Sequence, residues 1–309
     1  MTGRTCDICA SDALRLCHPD AVDYITGEAF EIWRCETCGC GRTRPSPSNL
    51  NAYYPDRYRR YSPVIAAVLR ILYGLRVRRW AKQFKSAGSA FEMGCGDGLM
   101  LAMLRDLGWR VLGSERTEAA ARAAREQNGV EVLAGGLEQV DPAQKFDLLI
   151  LNQVLEHLDD PGQAVAELTT RLAPGGKLII GVPNFASWQA RFSGAKWFHL
   201  DPPRHLHHFT LSSLGVLMRN HGLEIERVSY LSPEHDPYGW VQSALNLMDR
   251  RNNRLTRLLM GLDPPDGLNL LHLVLGGLFG AVTSPVSIAS WIAGRGAIVE
   301  ITCRRRAAT

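Results

Sequence analysis

Residues 89–98 read Ser-Ala-Phe-Glu-Met-Gly-Cys-Gly-Asp-Gly, and a helical pattern begins at Leu99. A short apolar strand (Ala90, Phe91, Met93) thus turns into a helix through glycines at 94, 96 and 98. Bare backbone at such a junction lets a ligand approach where side chains would block it. The dinucleotide fingerprint G-x-G-x-x-G needs a glycine at the next position, where Leu99 stands. Glu115 lies 17 residues beyond Gly98 and closes a second apolar stretch of Trp109, Val111 and Leu112. A carboxylate placed there accepts both hydroxyls of a ribose. Together these features point to an adenosine ligand without a pyrophosphate. The rival reading, an ordinary tight turn, leaves the distant acid unexplained.

The alternation continues down the chain. Helical stretches are expected at Met100–Leu107, Glu118–Gln127 and Ala164–Leu172, and strands at Val130–Leu133, Phe146–Leu151 and Lys177–Val182. Phe146–Leu151 is almost wholly apolar, as a central parallel strand buried on both faces should be. Leu223–Leu231 and Ala297–Cys303 read as the sixth and seventh strands. The pattern defines an α/β fold with a parallel sheet and ligands beyond the carboxyl ends of its strands.

Glu92-Met-Gly94-Cys-Gly96-Asp-Gly98, Glu115, Phe146-Asp147, Asn152-Gln-Val-Leu-Glu-His157 and Leu172-Ala-Pro-Gly-Gly176 follow one another in order. Over about residues 88–232 this series resembles class I S-adenosylmethionine-dependent methyltransferases. The resemblance implies a Rossmann-like seven-stranded sheet and S-adenosylmethionine as cofactor. It places Glu92, Gly94, Cys95, Gly96 and Gly98 in the cofactor loop, with Glu115 and Arg116 after the second strand. Gly136 and Leu137 then follow the third strand, where backbone amides are candidates to read the adenine, and Asn152 and Gln153 follow the fourth. Methyl transfer from a sulfonium is an in-line displacement that needs alignment and, for a hydroxyl, removal of a proton. No metal is required for it.

Candidate bases are histidines, which titrate near neutrality. His205, His207 and His208 fall within four residues in a chain with nine histidines, and Glu156-His157 follows the fourth strand. His205 is the first candidate base, with His208 and His157 as substitutes. In the similar sugar C-methyltransferases a Glu-His pair aligns here, but the glutamate falls on Arg204, which weakens a C-methylation reading. Rings that only bond backbone carbonyls, and an H-x-H metal site, are the competing readings.

Cys6-Asp-Ile-Cys9 and Cys35-Glu-Thr-Cys38 stand 25 residues apart. Each pair has the spacing with which two thiolates grip one tetrahedral ion, and four soft ligands favour a structural Zn2+. A redox pair or plain buried thiols are the alternatives. Tyr24-Ile25 and Phe30–Arg34 read as strands of a hairpin around Thr26-Gly27, while Cys17 and Cys40 are spare. Some methyltransferases of sugar and natural-product pathways carry a similar zinc segment, which implies that it shapes the acceptor site.

Residues 45–62, with Tyr53, Tyr54, Tyr58 and Tyr61, read as an irregular linker, and an amphipathic helix follows from Pro63. Nine basic residues and no acid lie between Arg57 and Lys85. A solvated face is the default reading, and attraction of an anionic acceptor the alternative. Tyr238–Met260 reads as one helix with Arg250, Arg251, Arg254 and Arg257 on its polar side. Leu268–Gly294 has 27 residues without a formal charge, interrupted by Gly276, Gly277, Gly280 and Pro285. A buried or dimer-forming helical pair is expected there rather than a membrane span, because the seventh strand must return to the sheet. Peripheral contact with a bilayer remains open. The expected division is a zinc module (1–44), a linker and helix (45–87), a Rossmann-like domain (88–232), a helical insertion (233–296) and a last strand with a basic tail (297–309).

A chain of 309 residues with net charge +4 is not basic enough for a dedicated nucleic-acid binder. The first residues carry no apolar run, and the paired cysteines suit a reducing compartment, so a cytoplasmic location, with peripheral membrane contact open, is expected. The whole reads as a methyltransferase acting on a small-molecule or glycan hydroxyl, with a lipid-linked or anionic acceptor and a homodimer through the C-terminal helices both open. C- or N-methylation is the alternative, and a catalytically inactive scaffold is the reading from a different class.

Overall fold

Leu148–Leu151 sit at zero exposure in the middle of a sheet, and this apolar strand organises one of two compact units. The computed structural model describes residues 5–54, 63–264 and 266–306. Tyr58, Tyr61 and the basic residues Arg57, Arg59 and Arg60 lie outside the described residues.

In chain order the strands are β1 (Leu14–Val22), β2 (Ala29–Cys35), β3 (Gly41–Arg44), β4 (Ser89–Met93), β5 (Arg110–Glu115), β6 (Val132–Ala134), β7 (Phe146–Asn152), β8 (Leu172–Pro183), β9 (His207–His208), β10 (Leu223–Ser229) and β11 (Ile298–Arg305). The helices are α1 (Pro63–Ala81), α2 (Leu99–Asp106), α3 (Glu118–Asn128), α4 (Pro161–Arg171), α5 (Trp188–Ser193), α6 (Leu211–Asn220), α7 (Asp236–Met248), α8 (Arg254–Leu259) and α9 (Gly267–Ile292).

The unit organised by β7 holds a seven-stranded sheet in the order β10-β11-β8-β7-β4-β5-β6, the Rossmann-like arrangement. β7 lies parallel to β4 on one edge and to β8 on the other, which makes it central, and the full burial of Leu148–Leu151 shows that both its faces are covered. Thr117 caps α3 by accepting the Ala120 N–H, and Gly129 ends it in the left-handed region at φ 60°. Strand β8 starts at Leu172, earlier than the sequence suggests, and absorbs Pro174-Gly175-Gly176 with a register irregularity against β7. Arg76 departs from the solvated-face reading: it is 3% exposed and lies 3.4 Å from the Glu300 carboxylate.

The other unit is built on a sheet ordered β1-β2-β3-β9. Its first hairpin turns earlier than expected, with Tyr24-Ile25 in the turn rather than in a strand. The cause is Asp23, whose carboxylate accepts from both the Thr26 N–H and the Thr26 hydroxyl at 2.8 Å and holds the turn. Ile32, Ala21, Ala190, Trp197 and Leu200 form the core beneath this sheet. The helix expected over 238–260 is broken into α7 and α8. Between them the Asp249 carboxylate accepts the Arg251 N–H at 3.0 Å, and Asn246 Oδ1 accepts the Asn253 N–H at 2.7 Å. These side-chain acceptors replace helical carbonyls, and Asn253 adopts φ 56°. α9 bends by 54° between Gly267–Gly277 and Val282–Ile292, where glycines and Pro285 weaken the ladder. Among the described residues no single helix is long and apolar enough to cross a membrane.

Candidate functional site

The loop from Gly94 to Gly98 joins β4 to α2, and all three glycines have positive φ, between 60° and 75°. They serve different ends. A Cβ at Gly94 would lie 2.6 Å from Val154, and one at Gly98 2.6 Å from Val130, so these two are glycine because the protein is close. At Gly96 nothing lies within 4 Å. That backbone faces open space, as a ligand cradle requires.

Glu115, at the end of β5, reaches this loop: its Oε1 accepts the Gly96 N–H, and its Oε2 accepts the Arg116 N–H at 3.3 Å. The acid singled out by its distance from the glycines is therefore held against the open one. Glu92, on β4, is 1% exposed, and burial, reinforced by Glu115 and Asp97, holds its pKa well above the usual carboxylate range. Its Oε2 has no hydrogen-bond partner among the described residues. A buried orphan oxygen beside an open loop suits a ligand with a donor to offer. Cys95 contributes backbone only. Its thiol is buried in the core with Leu101 and Ala121, and a Cβ at Gly113 would strike it at 2.7 Å.

After β6, the Gly136 N–H expected to read the adenine donates to Glu138 Oε1 at 2.7 Å, and the Leu137 side chain is buried. After β7, Asn152 Oδ1 accepts from Arg76 at 3.2 Å, and Gln153 adopts φ 58° while its N–H donates to the Gly181 carbonyl. Arg76 was missed by sequence reasoning, since nothing in a basic run marks which member turns inward. His157 lies in a 3-10 turn directly after β7.

The other histidines belong to the unit built on the zinc-type sheet. His207-His208 form β9 and pair with Gly41-Arg42 of β3. His207 Nε2 lies 2.6 Å from Arg42 and 3.2 Å from Asp7. His208 is buried, 2.9 Å from the Thr43 hydroxyl, and burial, aided by His207, pushes its pKa down to about 3. His205 is 6% exposed with Nδ1 2.9 Å from the His199 carbonyl. A carbonyl only accepts, so Nδ1 carries a proton; in the neutral ring the lone pair is then on Nε2, which lies 4.0 Å from the Asp201 carboxylate. Arg204 is fully buried, 2.8 Å from Asp23, 3.0 Å from Asp201, and stacked on Tyr24 with its guanidinium 4.5 Å from the ring centre.

Cys6, Cys9, Cys35 and Cys38 bring their sulfurs within 4.8 Å of one another. The Cys6–Cys38 and Cys9–Cys35 pairs are 3.6 Å apart. Zn–S bonds of about 2.3 Å in a tetrahedron set sulfurs about 3.8 Å apart, so the cluster is compatible with a structural zinc ion. Cys40, the spare neighbour, is buried and its thiol pushed upward by that burial.

A Rossmann-like sheet with an open glycine loop and a carboxylate held against it defines the class of S-adenosylmethionine-dependent methyltransferases. A family model described as a methyltransferase domain matches residues 58–228, more than half of the chain, and the chain belongs to that family. Its cofactor is S-adenosylmethionine. A Mycolicibacterium smegmatis protein named "Probable S-adenosylmethionine-dependent methyltransferase" is 31% identical over 137 residues, 44% of this chain and 51% of that relative. A ubiquinone biosynthesis O-methyltransferase of Xanthomonas axonopodis pv. citri is 27% identical over 175 residues, 52% of this chain and 73% of the relative. The chain spans about half the length of the first curated relatives it matches. In fold it is similar to a SAM-dependent methyltransferase from Archaeoglobus fulgidus, at TM-score 0.50 and 15% identity over 76% of this chain and 94% of that one.

Proposed function

We propose that this protein transfers a methyl group from S-adenosylmethionine to a hydroxyl of a small-molecule or glycan acceptor, with His205 as the base. The observation that carries the reading is the Gly96 backbone, open to solvent and held by the Glu115 carboxylate. Glu115 exchanges its bond to the loop for the ribose hydroxyls, a swap of one neutral donor for two. Glu92 Oε2, buried and without a partner among the described residues, takes a donor from the same ligand. When bound, the cofactor supplies a methyl group already activated on a sulfonium. The protein's part is to orient the acceptor and take its proton.

His205 suits that part because the His199 carbonyl fixes its tautomer and directs the basic lone pair to Nε2. His208 is the weaker substitute, because a ring with a pKa of about 3 holds a proton poorly at neutral pH. Arg204, locked between Asp23 and Asp201, occupies the sequence position where the sugar C-methyltransferases have a glutamate, which favours oxygen as the acceptor atom. The zinc module (1–44) and the helical insertion (233–296) are assigned to acceptor recognition, with the four cysteines as a structural zinc site.

The test is methyl transfer from labelled S-adenosylmethionine to a panel of hydroxylated small molecules and glycans, with cofactor affinity measured in parallel. His205→Ala should cut kcat by about 100-fold or more while leaving cofactor affinity nearly intact. Loss of both together would assign His205 to holding the fold, and methyl transfer to carbon or nitrogen acceptors alone would remove the hydroxyl reading.

A further inference from the structure

α9 is an amphipathic helix turned inside out. In its first half Asn269 and His272 face inward, 1% and 5% exposed, whereas Leu268, Leu270, Leu271, Leu273 and Val274 are 46–61% exposed. Asn269 donates to the Pro264 carbonyl at 2.6 Å, and His272 lies 3.3 Å from the Asp249 carboxylate. The second half repeats the inversion. Thr283, Ser287 and Ser290 are buried, while Val282, Ile288 and Ile292 are 66%, 51% and 84% exposed. Leu275 and Phe279 turn inward, packed beside Val241 and Leu245, and Trp291 donates to the buried Asp236 at 2.7 Å. A helix facing water shows the reverse polarity, with its apolar stripe toward the protein.

We propose that α9 is an in-plane membrane anchor, whose outward face sinks into the boundary between headgroups and acyl chains of a phospholipid bilayer. This goes beyond the methyltransferase reading and does not depend on it. Three features select lipid over a protein partner or a span. At 100° per residue, positions 268, 270, 271, 273 and 274 cover more than half of the helix circumference. A fluid wraps such an arc, whereas a second rigid chain meets a narrower seam. The two segments on either side of the 54° bend have 11 residues each, about 16 Å at 1.5 Å per residue, half the ~30 Å hydrocarbon core. Their polar edge is already bonded to the protein, so the helix lies along the surface. Charge adds little: residues 233–296 hold five acids and five arginines, and Arg251 and Arg257 are paired with Asp263 and Arg254 with Asp249. Attachment therefore rests on burial of apolar side chains rather than on anionic lipid.

The experiment mixes the purified full chain with sucrose-loaded vesicles of phosphatidylcholine alone, then with added phosphatidylserine or high salt. The protein should sediment with neutral vesicles, and the partition should shift by less than about threefold with lipid charge or salt. The double variant Leu271→Gln, Val274→Gln should lower it about tenfold or more, with an unchanged circular dichroism spectrum and melting midpoint because both side chains point outward. No binding to neutral vesicles would overturn the proposal. So would binding confined to anionic vesicles and abolished by salt. A dimer in light scattering that fails to bind vesicles and dissolves in the double variant would give the face to a second copy instead.

Discussion

The glycine loop and the histidine segment solve opposite problems. Around Gly96 the protein withholds side chains: nothing lies within 4 Å of where a Cβ would be, Cys95 turns into the core, and the Gly96 N–H is met by the Glu115 carboxylate. Around residues 204–208 it supplies side chains and engages them, with Arg204 against two aspartates, His207 against Arg42 and Asp7, His208 against Thr43 and His205 against a carbonyl. One region is ready to accept a ligand. The other is a bonded scaffold in which each of these side chains already has a partner. The open loop is built by leaving groups out, and the histidine segment by tying its side chains down.

The largest test of that contrast removes the zinc-type cluster. Stripping metal with a chelator, or Cys35→Ser, should cost the β1–β3 sheet and β9 on the order of 10 kcal/mol of metal-linked stability. Amide hydrogen exchange should show protection lost in those strands far more than in β4 and β5. Equal loss in both would mean the two regions are not separately stabilised. Next in size is a pH effect from His208. Below about pH 6.5 the unfolded chain gains a proton that the folded ring refuses until about pH 3. Stability should therefore fall as pH drops through that window, by up to about 5 kcal/mol. His208→Gln, which keeps a partner for Thr43, should flatten the slope in acid denaturation curves, and an unchanged slope would place the acid sensitivity elsewhere. The smallest effect concerns the loop. Glu115→Ala should weaken S-adenosylmethionine binding by about 1.5 to 3 kcal/mol in calorimetry with little change in melting temperature. A variant that binds as before would dissociate Glu115 from the ribose.

What could be read in advance divides along the same line. The glycines and Glu115 announce themselves because backbone exposure and a lone strand-end acid leave marks at fixed spacing, and Phe146–Leu151 because a strand covered on both faces must be apolar. The two C-x-x-C pairs are legible for the same reason: metal geometry dictates the interval. β9 was not legible, since a two-residue strand has no period to detect and its partner, Gly41-Arg42, is distant in sequence. Nor was the inward turn of Arg76, which depends on Glu300 at the far end of the chain. The break between α7 and α8 was hidden because Asp249 and Asn246 act through side-chain acceptors that look like ordinary polar surface.

The pairing of β9 with β3 also sets an order of events at the ribosome. Arg42 and His207, which meet in that ladder, are 165 residues apart. At about 5–20 residues per second the amino-terminal sheet waits roughly 8 to 33 s for its last strand to emerge. During that interval β3 is an unguarded edge on the nascent chain, open to pairing with a neighbour until β9 arrives.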